Sequence, residues 1–406
     1  MVDGMEIIVP AIVIVGCNRI DSFKRLLDSI FNAKYQRKDI PLVISIDYSE
    51  KAETLRSIAE TKNWIYGKKR VIVQEKNIGL KKHIIKCGDL SEEYGAVIVL
   101  EDDLFVSDGF YSYVFQAVNR YKDDDKVAGI SLYTHSWNGF ARKEFIPQKN
   151  SYDAFWGQFS ISWGQCWTKE SWQKFKRWLK LHDNGLLPKV HLPREIESYG
   201  EQSWGKYFAY YLVDNDLYYI IPYVAFSTNF SEPGVHTKIG DSTYQVRMAE
   251  GNDFQFRLPD FNEAIKYDMF FERVITEDLF VENINLKDVC FDLYGLKWDF
   301  HGRDYIAATR ICRARNPLLS FDIRLRPIEQ NVIRNISGNG INLYENNNLT
   351  VRDFKTTKHV KQVVYDFYNH SVELSMKYVF ARSQGYIWNK FIAIYRRICR
   401  VMKSWK

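Results

Sequence analysis

Between residues 7 and 103 the chain alternates two periodicities, and this alternation limits the fold more than any other feature. Apolar runs occupy 7–16 (IIVPAIVIVG), 41–47 (PLVISID), 69–75 (KRVIVQE) and 96–103 (AVIVLEDD). Between them, 21–32, 51–64 and 79–90 carry apolar residues at helical spacing, as in Phe23, Leu26, Leu27, Ile30 and Phe31. Strands alternating with helices predict an α/β fold of Rossmann-like type: a mostly parallel sheet with helices on both faces. Ligands of such sheets collect at the carboxyl ends of the strands. Three polar groups fall at those ends: Cys17-Asn18-Arg19, Asp47 and Glu101-Asp102-Asp103.

The last group is the most informative. A buried strand, VIVL, runs straight into three consecutive acids. Like charges this close raise one another's pKa, and a hard divalent cation is the usual partner that offsets the cost. A solvated acidic turn is the plainer alternative. The chain has no G-x-G-x-x-G, no G-x-x-x-x-G-K-[ST], no H-E-x-x-H and no G-x-S-x-G. Dinucleotide-dependent oxidoreductases, P-loop NTPases, zincins and serine hydrolases lose support accordingly.

Aromatic residues make up 16% of the chain and concentrate at 152–178, YDAFWGQFSISWGQCWTKESWQKFKRW. Trp156 and Trp163, each followed by glycine, fit a sugar-binding wall or a Trp-rich core. A helix is expected over 198–212 and a strand over 217–224, followed by a loop through 245. Residues 251–370 read as a smaller α+β region with Asn-rich turns. The pattern thus divides into 1–250, 251–370 and a tail, 371–406.

The net charge of +6 is a property of that tail. Residues 374–406 hold eight basic residues and no acid, which leaves about −2 for everything before them (6 − 8). No basic groove for nucleic acid is implied. Ile387, Phe391, Ile394, Ile398, Val401, Met402 and Trp405 recur at helical spacing among the basic residues. This predicts a basic amphipathic helix on an anionic membrane surface, or one packed against 251–370. No apolar run approaches the roughly 20 residues of a membrane span. The six cysteines are scattered without a C-x-x-C pair, and the first residues lack a signal-peptide pattern. The expected setting is cytoplasmic, peripheral on the inner membrane face.

Residues 9–240 resemble the GT-A nucleotide-sugar glycosyltransferases, of the N-acetylglucosaminyltransferase I type and its bacterial relatives. IVIVGCNR, ISID, VIVLEDDLFVSDGF, FWGQFSISWGQCW, SWGKY and PGVHT follow one another in the family's order. The resemblance implies a UDP-sugar donor, Mn²⁺ or Mg²⁺, and a saccharide or lipid-linked acceptor. It implies that Asp47 accepts a hydrogen bond from the uracil ring and that Arg19 lies near the nucleotide. Glu101 and Asp102 would contact ribose and donor sugar, and Asp103 would bind the metal. His236 would be a second metal or phosphate contact. His83 would face the diphosphate beside Lys81 or Lys82, or else lie on a solvated helix face. Trp204 would stand on the donor side, with Trp156 and Trp163 on the acceptor side.

At one position the pattern departs. An inverting transfer needs a base for the acceptor hydroxyl, and in the family an Asp directly follows the Trp that corresponds to Trp204. Here the next residue is Gly205. Glu201, one helical turn earlier, is the first candidate for that role, although it also completes an S-x-x-E capping box with Ser198. Asp153 is the second. The expected activity is a metal-dependent, inverting hexosyl- or N-acetylhexosaminyltransferase in bacterial surface polysaccharide synthesis. The alternatives are a nucleotidyltransferase, disfavoured because GCNRIDSF is a poor glycine-rich loop, and a non-catalytic sugar-binding or scaffold protein on a transferase fold.

Overall fold

A computed structural model describes residues 7–355, apart from 160–161, 184, 231, 233–242, 252–253 and 301, and beyond 355 residue 376 alone. The N-terminal half runs β1 (Ala11–Gly16), α1 (Ile20–Asn32), β2 (Leu42–Ile46), α2 (Ala52–Thr61), β3 (Lys69–Val73), α3 (Leu80–Asp89), α4 (Ser91–Tyr94), β4 (Ala96–Glu101), β5 (Leu104–Val106), α5 (Phe110–Tyr121) and β6 (Val127–Ser131). It continues with β7 (Trp137–Asn138), β8 (Lys143–Glu144), β9 (Ala154–Gly157), β10 (Gln165–Thr168), α6 (Lys169–His182), α7 (Arg194–Glu197), α8 (Trp204–Asp214), β11 (Tyr218–Pro222) and β12 (Ser227–Asn229). Two short strands follow, β13 (Lys266–Tyr267) and β14 (Arg273–Val274).

Ten strands form one mixed sheet in the order β14-β13-β9-β11-β6-β10-β4-β1-β2-β3. The block β4-β1-β2-β3 is parallel throughout, whereas β10 runs antiparallel to both its neighbours and β9 antiparallel to β11. The β1 sequence AIVIVG is buried along its whole length, as a strand covered on both faces must be. Its side chains alternate between two cores. Ile12 and Ile14 join Phe23, Leu26, Leu27 and Ile30 of α1 and residues of α2 and α5. Ala11, Val13 and Val15 join Ile84 and Cys87 of α3 and the aromatic faces of α6 and α8. Burying each large α1 side chain contributes roughly 2 kcal/mol, which sets the helix on that face.

The region expected to begin a separate domain at 251 contributes to this sheet. β13 and β14 extend it beyond β9, and Phe254 and Phe256 meet Phe226 edge-on. A second, four-stranded sheet forms later, from Val289–Asp292, Tyr305–Ala308, Ile341–Glu345 and Leu319–Phe321 in that order. Leu286, Phe291, Val332 and Leu343 fill its own core. Residues 7–355 cluster as one compact unit, and the tail 371–406 lies outside the described residues apart from residue 376. Among the described residues no helix is long and apolar enough to cross a membrane. The five described cysteines form no disulfide.

The helix expected over 198–212 starts later. Ser203, in extended conformation, accepts the Lys206 N–H with its side chain and caps α8, so the helix opens at Trp204. The Ser198–Glu201 capping box does not form: Ser198 Oγ donates to the Glu195 carbonyl. Glu201 therefore sits in the turn before α8 and shares no helix face with Gly205, which removes the spacing argument for it.

Candidate functional site

The chain passes from β1 to β2 and β3 on one side, then returns to place β4 on the other side of β1. The gap between the carboxyl ends of β1 and β4 is therefore a topological switch point, where crevices for ligands open in sheets of this kind. Register brings the polar ends level. Val15 pairs with Glu101, Gly16 pairs with Ile46, and the Asp47 N–H donates to the Gly16 carbonyl at 2.8 Å.

Arg19, in the loop after β1, spans this gap. Its Nε lies 3.1 Å from Asp102 Oδ1 and its Nη1 donates to Asp103 Oδ2 at 2.9 Å. Asp102 also accepts the Cys17 N–H. Burial pushes Asp102 up to about 6, with Arg19 opposing the rise, and pushes Glu101 up to about 8, helped by the neighbouring Asp103 and Asp102. One guanidinium thus serves three carboxyl groups. The turn carries more negative potential than the protein neutralises, which is the environment that favours a cation.

Asp47 is buried and held by three backbone N–H groups. Oδ1 accepts from Tyr48 N–H at 2.9 Å and Ile78 N–H at 3.0 Å, and Oδ2 accepts from Gly79 N–H at 3.1 Å. These bonds hold the loop between β3 and α3 against the end of β2. Gly79, at φ +78°, adopts the left-handed backbone that presents its N–H to Asp47. Oδ2 retains one acceptor direction for a ligand N–H.

Several expected residues lie elsewhere. His83 is buried under α3, with Nε2 2.7 Å from Ser45 Oγ. It neither faces a diphosphate nor lies on a solvated face. Burial also holds its pKa down, to about 4. Lys81, two residues earlier, is buried as well. It pairs with Asp183, donates to the Glu201 carbonyl at 3.2 Å and lies over the Tyr207 ring. Trp156 is fully buried against Tyr121 and Phe261, so it belongs to the core rather than to a sugar-binding wall. Trp204 is likewise a core residue, edge-on to Trp167, and offers no face to a donor. Trp163 is only partly buried and packs on Tyr133 and Tyr244.

Asp153 precedes β9, four strand positions from β4, hence about 19 Å across the sheet. Its carboxylate accepts the Arg257 N–H and faces Lys149, which makes it a fastener for the 254–261 segment. It is not placed to serve the acidic turn. Glu201 is exposed, but Lys81 links its backbone to the first turn of α3, and that turn starts on Asp47. His236 lies outside the described residues.

Sequence reasoning missed the brace that closes the other side. Glu232 accepts from Arg25 through both carboxylate oxygens, at 2.8 and 2.9 Å, and from Ser22 Oγ at 2.5 Å. β12 pairs antiparallel with β5, and the Phe230 N–H donates to the Asp103 carbonyl. Phe230 and Glu232 are thereby held beside the acidic turn and α1. No local pattern announces contacts between residues more than 200 positions apart.

No family model matches the chain. An alpha-1,3-mannosyl-glycoprotein 2-beta-N-acetylglucosaminyltransferase of Arabidopsis thaliana is 24% identical over 315 residues, 68% of each chain. The chain resembles the nucleotide-sugar glycosyltransferases. Likeness to solved structures is looser. GalNAc-T7, solved with UDP, GalNAc and Mn²⁺, aligns at TM-score 0.37 and 11% identity, over 54% of this chain and 43% of its own. Residues 1–349 of S. aureus TarS align at 0.32 and 15% identity, over 54% and 59%. The mannosyltransferase PcManGT from Pyrobaculum calidifontis, with GDP-Man and Mn²⁺, aligns at 0.29 and 15% identity, over 44% and 48%. The chain spans about half the length of these structures, and at such scores they show similarity without deciding function.

Proposed function

We propose that the protein is a metal-dependent glycosyltransferase that binds a nucleotide sugar at the switch point between β1 and β4. One observation carries this reading: Arg19 grips Asp102 and Asp103 across that gap, level with Asp47. A basic side chain, an acceptor for a base N–H and an acidic turn then line one crevice, as a nucleoside diphosphate with a cation requires.

The residues fit a cation held in part by its ligand. Among the described residues no three His, Cys, Asp or Glu side chains form a closed metal cage. Asp103, the more exposed of the Arg19 partners, would hold Mn²⁺ or Mg²⁺, leaving positions for phosphate oxygens. When bound, the metal neutralises charge on the departing diphosphate. Arg19 would face the same phosphates from beside Asp103. Glu101 and Asp102 are assigned to ribose and donor-sugar hydroxyls, and Asp47 Oδ2 to a uracil N–H.

The transfer is proposed to invert the anomeric carbon. Glu201, on the turn anchored by Lys81, is assigned the acceptor's proton, and Trp163 the acceptor side. The acceptor is proposed to be a saccharide or lipid-linked saccharide of a bacterial surface polysaccharide. On sequence grounds the basic tail, 371–406, would carry the enzyme to an anionic membrane face.

The test is a thermal-shift panel of UDP-, GDP-, CMP- and dTDP-sugars, with Mn²⁺ and with EDTA, on the wild type and Asp103→Ala. A ligand at 100 times its Kd stabilises by about 2.7 kcal/mol. A Mn²⁺-dependent shift with a UDP-sugar, lost in Asp103→Ala, supports the reading. No shift with any nucleotide sugar would transfer support to the scaffold alternative.

A further inference from the structure

The first turns of α1 grip the acidic turn from two sides. Arg19, Ser22 and Arg25 are spaced three residues apart, so neighbouring side chains lie along one side of the helix. Arg19 holds the carboxylates of Asp102 and Asp103. Ser22 and Arg25 hold Glu232, which follows β12. The Arg25 guanidinium also lies over the Phe230 ring, 3.7 Å from its centroid. Phe230 in turn donates its N–H to the Asp103 carbonyl at 3.2 Å, and its ring meets Phe105 of β5.

Asp103 is therefore held at both ends, its carboxylate by Arg19 and its main chain by Phe230. The second contact is only as firm as whatever holds Phe230. The register of β12 against β5 ends at Asn229, one residue short. Past that point Arg25 makes both the contact on the Phe230 ring and the fork on Glu232. A two-bond guanidinium–carboxylate pair fixes direction as well as distance. Only 23% of the Arg25 side chain and 34% of the Glu232 side chain are exposed, so water screens this pair less than one on the open surface.

We propose that Arg25 and Glu232 are positioning residues for Asp103, and that their pairing sets how tightly the acidic turn holds a divalent cation. The proposal rests on the reading of that turn as the cation site. Groups that orient a metal ligand from behind govern affinity by about 10–100-fold, and a contact relayed through Phe230 belongs at the low end.

The full chain is titrated with Mn²⁺, alone and with UDP, and free Mn²⁺ is read from its EPR signal. Arg25→Gln, which loses the fork and the charge, should weaken Mn²⁺ binding by about tenfold. Charge alone predicts the opposite sign, because taking a cation from beside an acidic turn favours a second cation. Arg25→Lys keeps the charge and loses the fork. It should weaken binding by about threefold, and it decides the matter if Arg25→Gln fails to fold. Binding by Arg25→Gln as tight as that of the wild type, or tighter, overturns the proposal. So does unchanged binding by Arg25→Lys. Absence of Mn²⁺ binding by the wild type in both conditions instead overturns the reading of the turn as a cation site, and the proposal with it.

Discussion

Ser45 Oγ and His83 Nε2 lie 2.7 Å apart beneath the first turns of α3. The pair joins β2, which leads directly into Asp47, to the helix that begins where Asp47 holds Gly79. Burial lowers His83 to about 4, Lys86 adds to the fall, and Asp47 opposes it. A histidine depressed in the folded state takes up its proton more readily when unfolded. Its stabilising contribution is therefore complete above pH 6.5 and lost as pH falls toward 4. His191 is lowered to about 4 in the same way, by burial and then Lys297. Melting temperature should drop between pH 6.5 and 4, with His83 alone responsible for about 3 kcal/mol at most. A His83→Gln variant should flatten part of that slope; an unchanged slope would refute the assignment.

Arg19 is the only described cation bonded to Asp102 and Asp103. Arg19→Ala should destabilise the protein by about 1–2 kcal/mol, since Asp102 is nearly buried while Arg19 is partly exposed. Arg19→Lys should recover less than half, because an ammonium cannot reproduce the fork that reaches two carboxylates. Urea denaturation of the three proteins measures this. Full rescue by lysine would mean that charge alone matters here.

The two candidate bases make opposite predictions. Glu201→Gln should lower kcat by about 10²–10⁴-fold with little change in KM for the donor, as for loss of a general base. Asp153→Asn should leave kcat within about twofold, because its carboxylate fastens Arg257 and Lys149 away from the acidic turn. Steady-state kinetics with the donor identified by thermal shift settles both. A reversed pattern would return Asp153 to the reaction.

Trp156 and Trp163 should separate in stability. Trp156→Ala deletes a fully buried indole and should cost about 3–5 kcal/mol. Trp163→Ala removes a partly buried ring and should cost less, about 1–3 kcal/mol. If Trp163→Ala were the more damaging, its ring would be structural and the acceptor-side assignment would weaken.

The parallel block was legible because its evidence is local. The β-branched runs and the helical stripe of α1 each state their own burial pattern, and β1, α1, β2, α2, β3, α3 and β4 fall within a few residues of their expected spans. The acidic turn was legible for the same reason, since its strangeness lies in adjacent residues. The α8 boundary was misread because two serines competed as caps. Ser203 prevailed over Ser198, which bonds back to Glu195.

By itself the sequence determined where strands end and which charged groups those ends carry: Arg19, Asp47 and Glu101–Asp103. The tertiary structure alone decided which side chains those groups meet. It buried His83, Trp156 and Trp204, and drew Glu232 onto Arg25. The physical reason is range. Periodicity and capping act over a few residues along the chain. Burial and ion pairing are set by elements far apart in sequence that share one sheet.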